Sequence, residues 1–196
     1  MTKAVFHIMA TTVLLVVFSA CAPLEIRTEL QRISIADDVV LVLPRADEIT
    51  ASFNATQVIV AEYGEQTHSF EAHLEVRPGK ITIVAVNALG VVLFAITYDG
   101  VELLASGVVA AQVINAEYVL ADVLLSHWDP TWLRARIQGA SLEHGANGQG
   151  RALIRNGAKL IEIEYESGEP WTGNVRLTHI ERGYTLLINT VEFASK

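Results

Sequence analysis

Histidines, a lone cysteine and a row of glutamates are the residues of this 196-residue chain whose types invite chemistry. His68 and His73 lie five apart in a segment of alternating apolar and polar residues, so they point to opposite faces of one strand and cannot share an ion. His127, His144 and His179 fall in separate segments, and a tetrahedral site needs its ligands converged; no metal is expected. An acyl-ester hydrolase or transferase would need a catalytic cluster around His144 or His179. Glu162, Glu164 and Glu166 line one strand face with side chains ~6.6 Å apart. Calcium needs oxygens converging at ~2.4 Å and general acid-base work needs a buried carboxyl, so the row reads as a solvated outer face. No Gly-x-Ser-x-Gly elbow, Walker loop, His-Glu-x-x-His or Gly-x-Gly-x-x-Gly run occurs. The chain is expected to be no enzyme and to hold no cofactor.

The cysteine has a different explanation. Lys3 starts the chain positively, residues 8–18 are apolar apart from Thr11 and Thr12, and small residues precede Cys21. Phe18-Ser19-Ala20-Cys21 resembles the bacterial lipobox, in which the thiol receives a diacylglycerol, the chain is cut before the cysteine and the new amine is acylated. The apolar run is about half of the ~20 residues that a spanning helix needs. Residue 22 is Ala rather than Asp, which resembles the outer-membrane sorting pattern. Lipidated Cys21 is thus the expected membrane partner. The full chain carries 14 basic and 22 acidic side chains; loss of residues 1–20 removes Lys3 and His7 and no acid. That balance, without a Lys/Arg block, argues against nucleic acid and against attachment through a basic patch.

The elements that position these residues follow from periodicity. Residues 1–20 read as a signal peptide, 21–53 as a lipidated tether and lead-in, and 54–196 as one domain with central helices at about 115–138. Phe70, Ala72, Leu74 and Val76 alternate with Ser69, Glu71, His73, Glu75 and Arg77, a strand with one buried and one wet face. Pro78-Gly79 supplies a type II turn. Asp99-Gly100 and Asn156-Gly157 both suit type I′ hairpin turns, and Glu181-Arg182-Gly183 forms a three-residue connection in a last hairpin. Between the strand groups, Leu120, Val123, Leu124, His127 and Trp128 follow helical spacing, opposite the polar Asn115, Asp122, Ser126 and Asp129. Asn115 is the expected N-cap. Asp129-Pro130 opens a second helix over 132–137, ended by Gly139. Strands, helix pair, strands without βαβ alternation predict an α+β fold: a curved antiparallel sheet with the helix pair across its concave side.

Two apolar features remain. The candidate interior lining is Phe70, Leu74, Phe94, Tyr118, Leu124, Trp128, Trp132, Ile163 and Trp171; these residues fit either a packed core or a lipid-lined cavity. In Asn87-Ala88-Leu89-Gly90, Leu89 sits on a turn, either exposed for insertion into a bilayer or folded into a buried crossing or bulge.

Taken in order, Phe70-Glu71-Ala72-His73-Leu74-Glu75, Asn87-Ala88-Leu89-Gly90 with Leu93-Phe94, Tyr98-Asp99-Gly100 and Glu181-Arg182-Gly183-Tyr184-Thr185-Leu186 resemble an uncharacterised bacterial lipoprotein family, domain of unknown function 3261. That family is considered similar to the outer-membrane lipoprotein receptor LolB. The resemblance implies an open half-barrel with helices across its mouth, in a periplasm-facing outer-membrane lipoprotein. It further implies a hydrophobic cavity for an acyl or aryl-polyene-type lipid, a periplasmic LolA-like carrier as partner, and Leu89 as the loop residue that meets the membrane. Ala88 departs from the Pro usual before that Leu-Gly pair. A scaffold lipoprotein for an envelope biosynthesis or export complex is the alternative.

Overall fold

The computed structural model describes residues 25–29, 31–107, 115–145, 149–167 and 169–195; residues 1–20 and Cys21 lie outside them. Hairpin chemistry sets most of the architecture. β4 (Phe53–Tyr63), β5 (Gln66–Arg77), β6 (Lys80–Val86), β7 (Val92–Tyr98) and β8 (Glu102–Ser106) form a meander. After α1 (Ala116–His127), α2 (Pro130–Arg134) and β9 (Ile137–Gln138), a second meander follows: β10 (Ser141–His144), β11 (Arg151–Arg155), β12 (Ala158–Tyr165), β13 (Gly173–His179) and β14 (Tyr184–Ser195). β14 returns to pair with β4 and joins the two groups. With β1 (Glu25–Glu29) on β8, this gives an eleven-stranded antiparallel sheet, open at its edges β1 and β10. β2 (Arg32–Ala36) and β3 (Val39–Val42) pair with β9 in a separate three-stranded sheet.

At ~4.8 Å per strand the large sheet would be about 50 Å wide if flat. Yet Leu103 of β8, Leu74 of β5, Ile163 of β12 and Leu142 of β10 belong to one buried cluster with Leu120 and Leu124 of α1. The sheet therefore wraps around the helices. The small sheet is folded into the same interior through Ile33, Ile35, Val39 and Leu41, so the segment read as a lead-in is part of the core from residue 33 onward. The predicted alternation of β5 holds, with Ala72, Leu74 and Val76 inward and buried.

Local chemistry corrects two expectations. Type I′ geometry needs positive φ at both central residues; Asn156 and Gly157 show it (51° and 79°), but of Asp99 and Gly100 only Gly100 does. The Asp99 carboxylate instead accepts from the amides of Val101 and Glu102. Gly100 has a second reason to be Gly: a Cβ there would lie 2.1 Å from the backbone nitrogen of Ala46, in the 3-10 turn Ala46–Glu48. The second helix covers only Pro130–Arg134, capped by the Asp129 carboxylate; Ile137 is already strand, and Gly139 lies beyond it in the link to β10. On the polar side of α1, Asp122 and Ser126 are buried while Asn115 and Asp129 are exposed. Asn115 caps α1 as expected, accepting from the amides of Glu117 and Tyr118.

One irregularity matters below. β14 pairs Thr190 with Gln57 and Glu192 with Thr56, leaving Val191 as an extra, exposed residue in a bulge.

Candidate functional site

The residues read as an interior lining do not form one site. Leu74, Phe94, Leu124 and Ile163 are buried within the continuous core, and Phe70, Tyr118, Trp128, Trp132 and Trp171 are half-buried against it. The half-buried rings divide among different places. Phe70 meets Phe94 edge-on, with centroids 5.9 Å apart. Trp171 contacts Phe53 at 4.7 Å and stacks on His127 at 4.2 Å and on Phe193 at 5.1 Å, with Trp128 6.3 Å from Phe53. Trp132 lies under the guanidinium of Arg136, and Tyr118 under that of Arg182 at 3.4 Å.

The inner face of the sheet has a closed end and an open end. Along β4 the inward residues Phe53, Ala55 and Gln57 are buried, Ile59 and Ala61 are half-buried, and Tyr63 is 63% exposed. β5 repeats the gradient in its neighbouring positions: Leu74 and Ala72 are buried, Phe70 half-buried and His68 exposed. β14, on the other flank, has buried Ile188 between half-buried Leu186 and Tyr184 toward this end and half-buried Thr190 and exposed Phe193 toward the other. Register places Phe70 beside Ile59 and Leu186 beside Ala61. The result is a half-bare apolar trough at one end, with Val119 and Val123 of α1 also left half-buried.

The β6–β7 loop belongs to the same end. Asn87 Oδ1 accepts from the amides of Leu89 and Val91 at 2.9 and 3.0 Å, the Asn87 amide donates to the Val91 carbonyl, and Gly90 takes φ 74°. These bonds fix the turn without a Pro at 88. Leu89 is 86% exposed, with Val91 and Val92 exposed beside it, which decides between the exposed and buried readings of that loop.

α1 is held to the sheet by polar groups at both ends. The Tyr184 hydroxyl reaches both oxygens of the Asp122 carboxyl, each at 2.9 Å. Burial pushes the Asp122 carboxyl up to about 7, against the downward pull of the Tyr184 hydrogen bond and the Arg182 charge. At the other end the Pro170 carbonyl, 2.8 Å from His127 Nδ1, can only accept, so Nδ1 carries the proton and Nε2 accepts from the Gln57 amide at 3.1 Å. The other Gln57 amide proton goes to Thr190. Burial pushes this imidazole down to about 4. Arg151 donates to the Leu125 carbonyl at 2.9 Å and Tyr165 to that of Ser126 at 2.7 Å, satisfying two last-turn carbonyls of α1. None of these sheet partners has a periodic sequence signal that pairs it with the helix.

The remaining candidates disperse. His73 pairs with Glu71 at 2.9 Å on the outer face, His144 lies beside Arg134, and buried His179 donates through Nε2 to the Ile35 carbonyl. Glu162 pairs with Lys159, Glu166 accepts from the Asn174 side chain and Glu164 is exposed. Among the described residues no group of three His, Cys, Asp or Glu is arranged to hold a metal. A surface pocket of about 400 Å³ lies elsewhere, lined by residues such as Leu43, Arg45, Tyr98 and Arg136. Arg136 pairs with Glu48 there and Arg45 with Asp47 at 3.4 Å.

An open antiparallel sheet wrapped around a buried helix defines an α+β protein. Within that class the chain belongs to the family of proteins of unknown function DUF3261, whose model matches residues 54–192. No curated protein matches it. Among solved structures it is similar to a LolA superfamily protein from Nitrosomonas europaea, at 11% identity over 77% of this chain and 90% of that one, TM-score 0.46. It is also similar to a protein domain from Vibrio parahaemolyticus described as outer membrane lipoprotein-sorting, at 10% identity over 77% and 88%, TM-score 0.34. A DUF1329 family protein from Desulfovibrio piger matches at 12% identity over 77% and 89%, TM-score 0.28.

Proposed function

We propose that this chain is a non-enzymatic lipoprotein, anchored through acylated Cys21 in the outer membrane and facing the periplasm, that takes an acyl or polyene-type lipid and passes it to the membrane. The observation that carries this reading is the trough. Ile59, Ala61, Phe70 and Leu186 leave apolar area half-covered on a face whose strand residues Ala55, Ala72, Leu74 and Ile188 are buried. Each Å² of apolar surface covered by a ligand contributes ~25 cal/mol, so a lipid chain lying along this floor is the ligand that the surface rewards. A periplasmic carrier of LolA type would deliver it.

The continuous core favours a second reading. Leu74, Phe94, Leu124 and Ile163 touch other core side chains rather than a void, as expected of a scaffold for an envelope biosynthesis or export complex. One experiment separates the two. The mature chain with Cys21→Ser, purified from cells carrying the native pathway, is analysed by native mass spectrometry and organic extraction. The carrier reading expects one lipid per chain, and loss of that lipid in Ile59→Ser with Phe70→Ser. A chain that arrives empty and refuses added long-chain lipids is a scaffold.

A further inference from the structure

α1 carries polar groups into the interior whose bonding capacity the protein does not fill. Helical spacing makes Val119 a neighbour of Asp122 and Val123, and Ser126 a neighbour of the same two, so the four form one patch of the helix surface with adjacent Cβ atoms ~5–6 Å apart. Val119 and Val123 are its half-buried members, and the Tyr184 hydroxyl fastens Asp122 to β14. An ionised carboxylate offers about four acceptor sites, yet the buried Asp122 carboxyl receives a single hydroxyl proton, shared between its two oxygens. Ser126 is fully buried, and its hydroxyl has no hydrogen-bond partner among the described residues, which costs the full desolvation of that group. On the inner face Tyr184 lies beside Tyr63, Leu186 beside Ala61 and Ile59 beside Phe70. The polar patch therefore borders the trough along its β14 side.

From this juxtaposition we infer that Asp122 and Ser126 select the head of the lipid: the protein takes a single-chain lipid ending in an uncharged hydroxyl, held between the Asp122 carboxylate and the Ser126 hydroxyl while its hydrocarbon crosses β4 and β5 over Ala61, Ile59 and Phe70. This rests on the lipid-binding trough of the function proposed above and adds the class of head group. A ligand hydroxyl can donate to Asp122 and accept from Ser126 at once, whereas an ammonium has no acceptor, and a carboxylate or an ether oxygen has no donor. Charge further opposes an anionic head. Glu62, Glu65 and Glu181 are exposed at the same end, and Arg182, the cation beside Asp122, is already held 3.4 Å over the Tyr118 ring and on the Ser34 carbonyl. A cationic head would have to leave water for a buried patch that satisfies only part of its bonding.

The test is displacement of the fluorescent probe N-phenyl-1-naphthylamine from the mature chain with Cys21→Ser, at pH 8, above the value of about 7 to which burial raises Asp122. Dodecanol is compared with dodecyl methyl ether, dodecylamine and dodecanoate, and is expected to displace the probe at a concentration on the order of ten-fold lower than each of the other three. Ser126→Ala removes a hydroxyl that bonds to no described residue, so a merely structural role predicts unchanged selectivity. With selection at the head, the advantage of dodecanol over the ether falls to about two-fold or less, while the melting temperature stays level or rises. Asp122→Asn keeps the shape and removes the charge, and should narrow the gap between dodecanol and dodecanoate several-fold. Equal displacement by dodecanol and its ether, or a Ser126→Ala chain that keeps the full preference, overturns the head-group selection and leaves the trough reading standing. A chain that binds neither the probe nor any of the four, or that binds them undiminished after Ile59→Ser with Phe70→Ser, overturns selection and trough together.

Discussion

The two ends of the inner sheet face are made of the same strands and the same residue classes, yet one is covered by a stack of rings and the other is not. At the closed end Phe53, Trp171, Phe193 and His127 pack ring on ring, while at the open end Ile59, Phe70 and Leu186 keep part of their surface bare. At the closed end the cover comes from rings of which Trp171 is half-buried and Phe193 40% exposed, whereas at the open end Ile59, Phe70 and Leu186 are half-buried against the core. On the function proposed above, folding and ligand capture would be divided along a single strand, with Phe53 of β4 serving the first and Ile59, six residues on, the second.

Substitutions sort by which end they touch. Leu124→Ala should give the largest effect, on the order of 2–5 kcal/mol of stability in denaturant unfolding, because the side chain is fully buried and its removal leaves a cavity. The buried titrating groups come next, each on the order of a few kcal/mol. Asp122 binds its proton more tightly folded than unfolded, so its contribution is present at about pH 4 and is lost as pH rises to about 7. His127 binds its proton more weakly folded, so its contribution is present above about pH 6.5 and is lost as pH falls toward 4. The two oppose each other in between. Asp122→Asn should therefore unmask a rise in melting temperature from pH 4 to 6.5 that the native chain shows only weakly.

Effects at the trough should be smaller in stability and larger in binding. Ile59→Ser is expected to cost under about 1 kcal/mol while abolishing retention of a fluorescent long-chain lipid; a loss as large as that of Leu124→Ala would erase the distinction between the ends. Asn87→Ala removes the acceptor for two loop amides and should cost about 0.5–1.5 kcal/mol at most. Its mark would be faster hydrogen exchange confined to residues 87–91.

Much of the sheet was legible in the sequence because period-two alternation and Asn-Gly, Pro-Gly and Arg-Gly turns are local signals. Both caps, Asn115 and Asp129, were legible for the same reason. What was lost is non-local. Nothing near Asp122 announces Tyr184, sixty-two residues away, so the burial of this carboxyl beside a tyrosine hydroxyl was not foreseen. Nor does the run 31–43 announce that its apolar residues fill the interior of a sheet formed mostly by later strands. Of the residues offered as a lining, Leu74, Phe94, Leu124 and Ile163 are buried and the other five half-buried, and residue type alone does not separate them: Trp171, stacked on His127, and Phe70, beside Ile59, are both half-buried.

Val191 carries a consequence out of proportion to its own exposed side chain. Because it is an extra residue in β14, the in-out parity of the strand reverses beyond it: Thr190 and Phe193 both face inward, although an uninterrupted strand would have turned one of them out. Glu192 is directed to the outer face beside Thr56, and Phe193 reaches the rings of Phe53 and Trp171. The aromatic plug of the closed end is thus a matter of counting as much as of composition. A regular strand that kept all of these residues, Val191 paired in register with Thr56, would present a carboxylate to those rings and a phenyl group to water.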